Sequence, residues 1–161
     1  MPLIVWTDQM SVGVKLLDND HKKLVLLINQ LHDGLMTGRA KLGLERIFQG
    51  LVSYTRVHHA HEEQLLVEAS FQGSVAHKQE HESTIERAVE LQMRFNSSEE
   101  LAAELEVINQ LREWLFRHIQ GSDQEFVAHL KAKGVDALLA SRKTLDGMEP
   151  AKEPRVMQGV W

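Results

Sequence analysis

The sequence predicts an all-α protein: an up-down-up-down antiparallel four-helix bundle with an N-terminal arm and a C-terminal extension. Apolar residues recur at three- and four-residue steps in four separate segments. Short polar turns join those segments, which makes consecutive helices antiparallel neighbours. Start and stop residues fall where the periodicity begins and ends.

The first helix is read from Asp18, with Leu24, Leu27, Ile28, Leu31 and Leu35 on one face, Asp18 as N-cap and Gly38 as the stop. A second runs from about residue 42 to 66, carrying Leu44, Ile47, Phe48, Leu51, Val52 and Leu65. After "SFQGS" a third is expected from about residue 75 to 95. Ser97 and Glu100 then form a capping box for the fourth, whose face holds Leu101, Leu105, Ile108, Leu111, Trp114 and Leu115. Residues 1–17, with Trp6, Val12 and Val14, read as an arm packed along the bundle, and residues 123–145 extend or follow the last helix. The domain is placed at residues 1–134. Residues 135–161 are the C-terminal extension, a short helix and then the Pro- and Gly-containing tail "DGMEPAKEPRVMQGVW". No internal repeat is evident.

Composition removes several function classes. The 161 residues hold 18 Lys and Arg against 23 Asp and Glu, a net charge of −5, and contain no basic run. Neither nucleic acid nor an anionic membrane surface is expected as a partner. With no cysteine there is no disulfide, thiolate zinc site, iron–sulfur ligation or covalent haem. Any metal must be held by His, Asp or Glu. The start lacks a signal-peptide pattern and the longest aliphatic run, "LVLLI", is too short to span a bilayer, so a soluble cytoplasmic protein without membrane insertion is expected.

The stretch "HHAHEEQLL", beginning at His58, concentrates imidazoles and carboxylates near the end of the second helix. Residues four apart on a helix share a face, as do His58 with Glu62 and His77 with His81. His21 lies near the start of the first helix and His118 near the end of the fourth, followed by Asp123. In an up-down bundle those four places lie at one end of the molecule. A lone His or one such pair is more often ordinary surface, but four clusters at one level point to metal. Five imidazoles and two carboxylates exceed what one ion needs, which indicates two metals. If both are octahedral, the carboxylates and a hydroxide or oxide bridge, and the imidazoles divide three and two, one position remains vacant on the two-histidine metal. His32, His59, His61 and His129 fit no partner and are read as surface residues or residues just outside the site. His118 and Asp123 are five apart, about 140° on a regular helix, so a local bulge is predicted there, eased by Gly121.

The segments "WTDQMSVGVKLLDNDHKKL", "LVSYTRVHHAHEEQLL", "HKQEH" and "WLFRHIQGSD" together resemble the bacterial haemerythrins over roughly residues 6–130. The resemblance implies a di-iron, oxo- or hydroxo-bridged, haem-free centre that binds dioxygen. One iron would be held by His77, His81 and His118, the other, with the vacant position, by His21 and His58, with Glu62 and Asp123 bridging. It implies an oxygen carrier, store or local supplier rather than an enzyme. That family usually places an aromatic residue, typically Phe, directly after the second-helix ligand; here that residue is His59. Trp114, Leu115 and Ile119, near His118, are candidates for an apolar lining of the dioxygen pocket.

Three rival functions fit parts of the pattern. "HKQEH" fits the inverted zinc-peptidase motif with Glu80 as base, which leaves His21, His58 and His118 unexplained. A ferritin-like oxidase needs Glu three residues before His, and no His here has one. The third keeps the centre but uses it to sense oxygen, nitric oxide or redox state, or as an oxidase or peroxidase. A docking role for the tail, with Trp161 as anchor for a protein client, ranks below simple disorder.

Overall fold

The computed structural model describes residues 1–132, and the readings placed on the C-terminal extension and tail lie outside the described residues. Four long helices follow in order: α1 (Lys15–Met36), α2 (Lys41–Glu68), α3 (Ser74–Ser97) and α4 (Leu101–His118). A π turn, Ile119–Asp123, leads from α4 into α5 (Gln124–Ala132). Each helix packs on the next and α4 closes back on α1, as short connections dictate for a four-helix bundle. No described helix is long and apolar enough to cross a membrane.

The core follows the predicted stripes. Leu17, Leu24, Ile28 and Leu31 of α1 face Phe48, Leu51 and Leu65 of α2, Leu91 and Phe95 of α3, and Ile108, Leu111 and Leu115 of α4, all at most 2% exposed. Phe48 and Phe95 meet with ring centroids 5.4 Å apart. From the arm, Ile4, Met10, Val12 and Val14 are buried against the bundle, whereas Trp6 is half-buried. Asn29 ties the arm down, donating to Ile4 O and accepting from Ile4 N, both at 2.8 Å.

Two cap expectations fail for the same reason: a nearby backbone group offers the side chain a better partner. Asp18 is not the N-cap of α1, which begins at Lys15; from the first turn its carboxylate accepts from Ser11 Oγ at 2.5 Å and Val12 N at 2.8 Å, holding the arm. Ser97 is the last residue of α3 and donates back to Met93 O at 2.9 Å, so no capping box forms, and Glu100 precedes α4 without a side-chain cap. Gly38 does end α1, with φ of 72°, a left-handed conformation that suits glycine. At the end of the bundle away from the histidines, Lys41 donates to Ser98 O at 2.8 Å and pairs with the buried Glu104.

Candidate metal centre

The inner stripe of α2 reads Leu51, Thr55, His58, Glu62, Leu65, all buried. The helical period therefore carries an imidazole and a carboxylate into the core, where an unpartnered polar group is costly. The same substitution of polar for apolar recurs at one level on the other helices: His21 on α1, His77 and His81 on α3, His118 at the end of α4. The π turn completes the set. Its i to i+5 pairing brings Asp123 round to the side of His118, and their Oδ2 and Nε2 atoms lie 3.2 Å apart. All seven predicted ligands are between 0% and 8% exposed.

Every one of the five imidazoles presents Nε2 to the two carboxylates. Asp123 Oδ2 lies 2.7 Å from His21 and 3.8 Å from His58. Glu62 divides its oxygens: Oε1 is 3.2 Å from His58 and 3.7 Å from His118, while Oε2 is 2.7 Å from His81 and 3.2 Å from His77. Two overlapping groups result, His21, His58, Glu62, His118 and Asp123 in one and Glu62, His77 and His81 in the other, joined by Glu62. Nearest distances thus place His118 beside His58, their Nε2 atoms 3.0 Å apart.

The donor set fits bound cations. Glu62 Oε1 and Asp123 Oδ1 are buried acceptors without a hydrogen-bond partner, and the facing nitrogens of His58 and His118 can share only one proton. Nitrogen and oxygen donors of this kind suit iron, manganese or zinc, and a carboxylate with one oxygen in each group is arranged to bridge two ions.

The electrostatics differ from one member of the cluster to the next. Burial lowers His21 to about 4, helped by repulsion from His58, and lowers His118 to about 3. Burial also opposes charge on His58, but the Glu62 carboxylate and the Asp20 hydrogen bond outweigh it and raise it to about 9. Burial and the like charge of Glu62 hold Asp123 well above the carboxylate range, whereas the imidazoles around Glu62 overcome burial and hold it well below. One carboxylate of the pair keeps the negative charge.

Residues outside the cluster orient it, and the sequence reading missed two acids among them, Asp20 and Glu63. Asp20, 2% exposed, accepts from His58 Nδ1 at 3.2 Å, His61 Nδ1 at 2.7 Å and the Tyr54 hydroxyl at 2.8 Å. Burial raises its carboxyl, but these three donors outweigh that and hold it far below the usual range. Glu63 Oε1 lies 3.1 Å from His81 Nδ1. The available signal was that an imidazole ligand needs an acceptor for its other nitrogen, and acids stand directly beside His21 and Glu62.

The remaining candidates separate clearly. Trp114 is half-buried and stacks on the His118 ring, centroids 5.7 Å apart at 20°, while Leu115 and Ile119 are fully buried in the core. Of its two expected places, surface or just outside the site, His59 takes the second: it is 4% exposed and stacks on His81 at 3.8 Å with rings 3° apart. His61 serves Asp20, His32 meets Asp33 at 3.1 Å, and His129 approaches Ala69 O at 3.4 Å. Glu80, the general base of the peptidase reading, is exposed and accepts from Ser122 Oγ, while His77 and His81 turn to Glu62.

Comparison with known proteins gives a consistent answer. The family model described as the Hemerythrin HHE cation binding domain matches residues 12–130. A bacteriohemerythrin of Pseudomonas aeruginosa (strain PAO1) is 39% identical over 127 residues, covering 79% of this chain and 81% of that protein. One from Stenotrophomonas maltophilia (strain R551-3) is 35% identical over 132 residues, 82% of this chain and 84% of its own length. A crystal structure of a hemerythrin mutant superposes with a TM-score of 0.69 at 26% identity, covering 81% of this chain and 98% of the other. With that match spanning the helices and the π turn that bring the buried His, Glu and Asp cluster together, the chain belongs to the haemerythrin family.

Proposed function

We propose that the chain binds dioxygen reversibly at a pair of non-haem iron ions, as a carrier, store or local supplier rather than an enzyme. The observation that supports this reading best is the division of Glu62, one oxygen toward His58 and His118 and the other toward His77 and His81. In this reading Glu62 and Asp123 would bridge, His77, His81 and His118 would hold one iron, and His21 and His58 the other with a position to spare; His118 stands 3.0 Å from His58, so its place with His77 and His81 rests on the family resemblance and not on the division of Glu62. When bound, the ferrous pair supplies the electrons that dioxygen takes up and gives back.

The chain's own part is to hold and to shield. Glu62, His58, His21 and Asp123 are 0% exposed, so packing fixes these four and keeps water from them, while His77, His81 and His118 are 3–8% exposed. Trp114 covers the ring of His118, and Leu115 and Ile119 keep that side of the core apolar. A second reading, sensing or oxidative turnover at the same centre, is favoured by one observation: His59 buries a polar ring against His81, with Nε2 unpartnered.

The test is to reduce the iron-loaded protein anaerobically, admit air, and record the visible spectrum before and after purging. Bands that rise with air and fade on purging support a carrier. Bands that never fade, reporting ferric protein only, favour the second reading.

A further inference from the structure

The buried carboxylate of Asp20 is held by three donors from α2: His58 Nδ1, His61 Nδ1 and the Tyr54 hydroxyl. Only His58 among them belongs to the candidate metal centre. Its ring is pinned through both nitrogens, Nδ1 by Asp20 and Nε2 toward Glu62, Asp123 and His118. His21, the other imidazole assigned to the same iron, has no such partner: its Nδ1 is buried without a hydrogen bond. The two imidazoles are therefore unequal, and the difference is one carboxylate.

We propose that Asp20 is a positioning residue that fixes His58 with its proton on Nδ1 and strengthens Nε2 as a donor to iron, and that Tyr54 moderates it. This rests on the reading that His58 holds an iron. An imidazole N–H bonded to a carboxylate passes electron density to its other nitrogen, so the ring binds the ferric ion more strongly than it would alone. The Tyr54 hydroxyl competes for the same carboxylate. Removing it leaves Asp20 more of its charge to spend on His58.

Opposite signs for two neighbouring changes give the test. Wild type, Asp20→Asn and Tyr54→Phe are loaded with iron, oxidised, checked for helix content by circular dichroism and titrated with azide. The azide charge-transfer band and the ferric-to-ferrous equilibrium against a mediator dye are read for each. Asp20→Asn keeps the shape and loses the charge; its ferric ion is more electron-poor, so the band moves to longer wavelength. The mediator equilibrium moves toward ferrous, because the weaker donor favours the ferric ion less. Tyr54→Phe moves both readings the other way and by less. Should Asp20→Asn not retain iron, Tyr54→Phe alone decides, the opposite shift supporting the proposal and wild-type behaviour overturning it. Variants that both match wild type, or both shift in the direction of Asp20→Asn as general loosening would, overturn it. Wild type without an azide band instead refutes the underlying di-iron reading, and the proposal falls with it.

Discussion

Glu62 Oε2 lies 2.7 Å from His81 Nε2, a buried contact between residues nineteen apart on antiparallel helices. The other oxygen of the same carboxylate faces His58 at 3.2 Å. One side chain thus touches both halves of the ligand set, so its removal should cost more than the loss of any single imidazole.

Glu62→Gln should therefore fold with unchanged helix content, since Gln matches Glu in shape. Its affinity for iron should fall by at least about a hundredfold, the upper range for partners further out. Metal analysis after dialysis checks both. Full iron retention would show that Glu62 is no ligand.

The pH dependence of the metal-free chain follows from opposite shifts. His21 and His118, ordinarily at 6.5, are lowered to about 4 and about 3, so below pH 6.5 the unfolded chain takes up protons that the folded chain refuses. Stability therefore falls as pH drops from 6.5 toward 4. His58 is raised to about 9, so its contribution is present below 6.5 and is lost as pH climbs through 9. Urea unfolding at a series of pH values should show a maximum near pH 6.5. Bound iron needs deprotonated imidazoles and should flatten the alkaline decline.

Trp114 covers His118 with its ring and is half-buried, so Trp114→Ala should cost about 1–2 kcal/mol, less than a fully buried aromatic. In the loaded protein it should also shorten the time for which the air-induced spectrum remains reversible. Wild-type persistence would mean that Trp114 only packs. By contrast Phe48→Ala, which empties a fully buried site against Phe95, should cost about 3–5 kcal/mol.

Gly121 sits in the π turn with nothing within 4 Å of a Cβ placed there and no left-handed φ. Gly121→Ala should then stabilise the chain by about 0.4–1 kcal/mol through the unfolded state, raising the melting temperature by about 2 °C, with iron content unchanged. A lower melting temperature would show that the turn needs glycine.

The helices and the gathering of the seven candidate ligands were legible because both rest on the helical period. Leu51, His58, Glu62 and Leu65 occupy one stripe whether its occupants are apolar or polar, so burial of the polar members followed from position alone. Even the π turn could be anticipated, because His118 and Asp123, five positions apart, cannot share a face on a regular helix. Side-chain choices among competing partners were not legible. Asp18 and Ser97 look like caps, yet each found other partners, Ser11 Oγ and Val12 N for the first and Met93 O for the second. Asp20 and Glu63 were passed over because an acid beside a ligand in sequence shows its role only when the neighbouring helix is in place. For His59 the sequence left surface and just outside the site open, and the packing of α2 on α3 decides for the second by stacking it on His81.

The central claim, that His21, His58, Glu62, His77, His81, His118 and Asp123 form one cage for a pair of irons, is tested most directly by metal content. Protein produced with ample iron and dialysed free of loose metal should carry two irons per folded chain. A single zinc, or no metal, on a chain of unchanged helix content would contradict it.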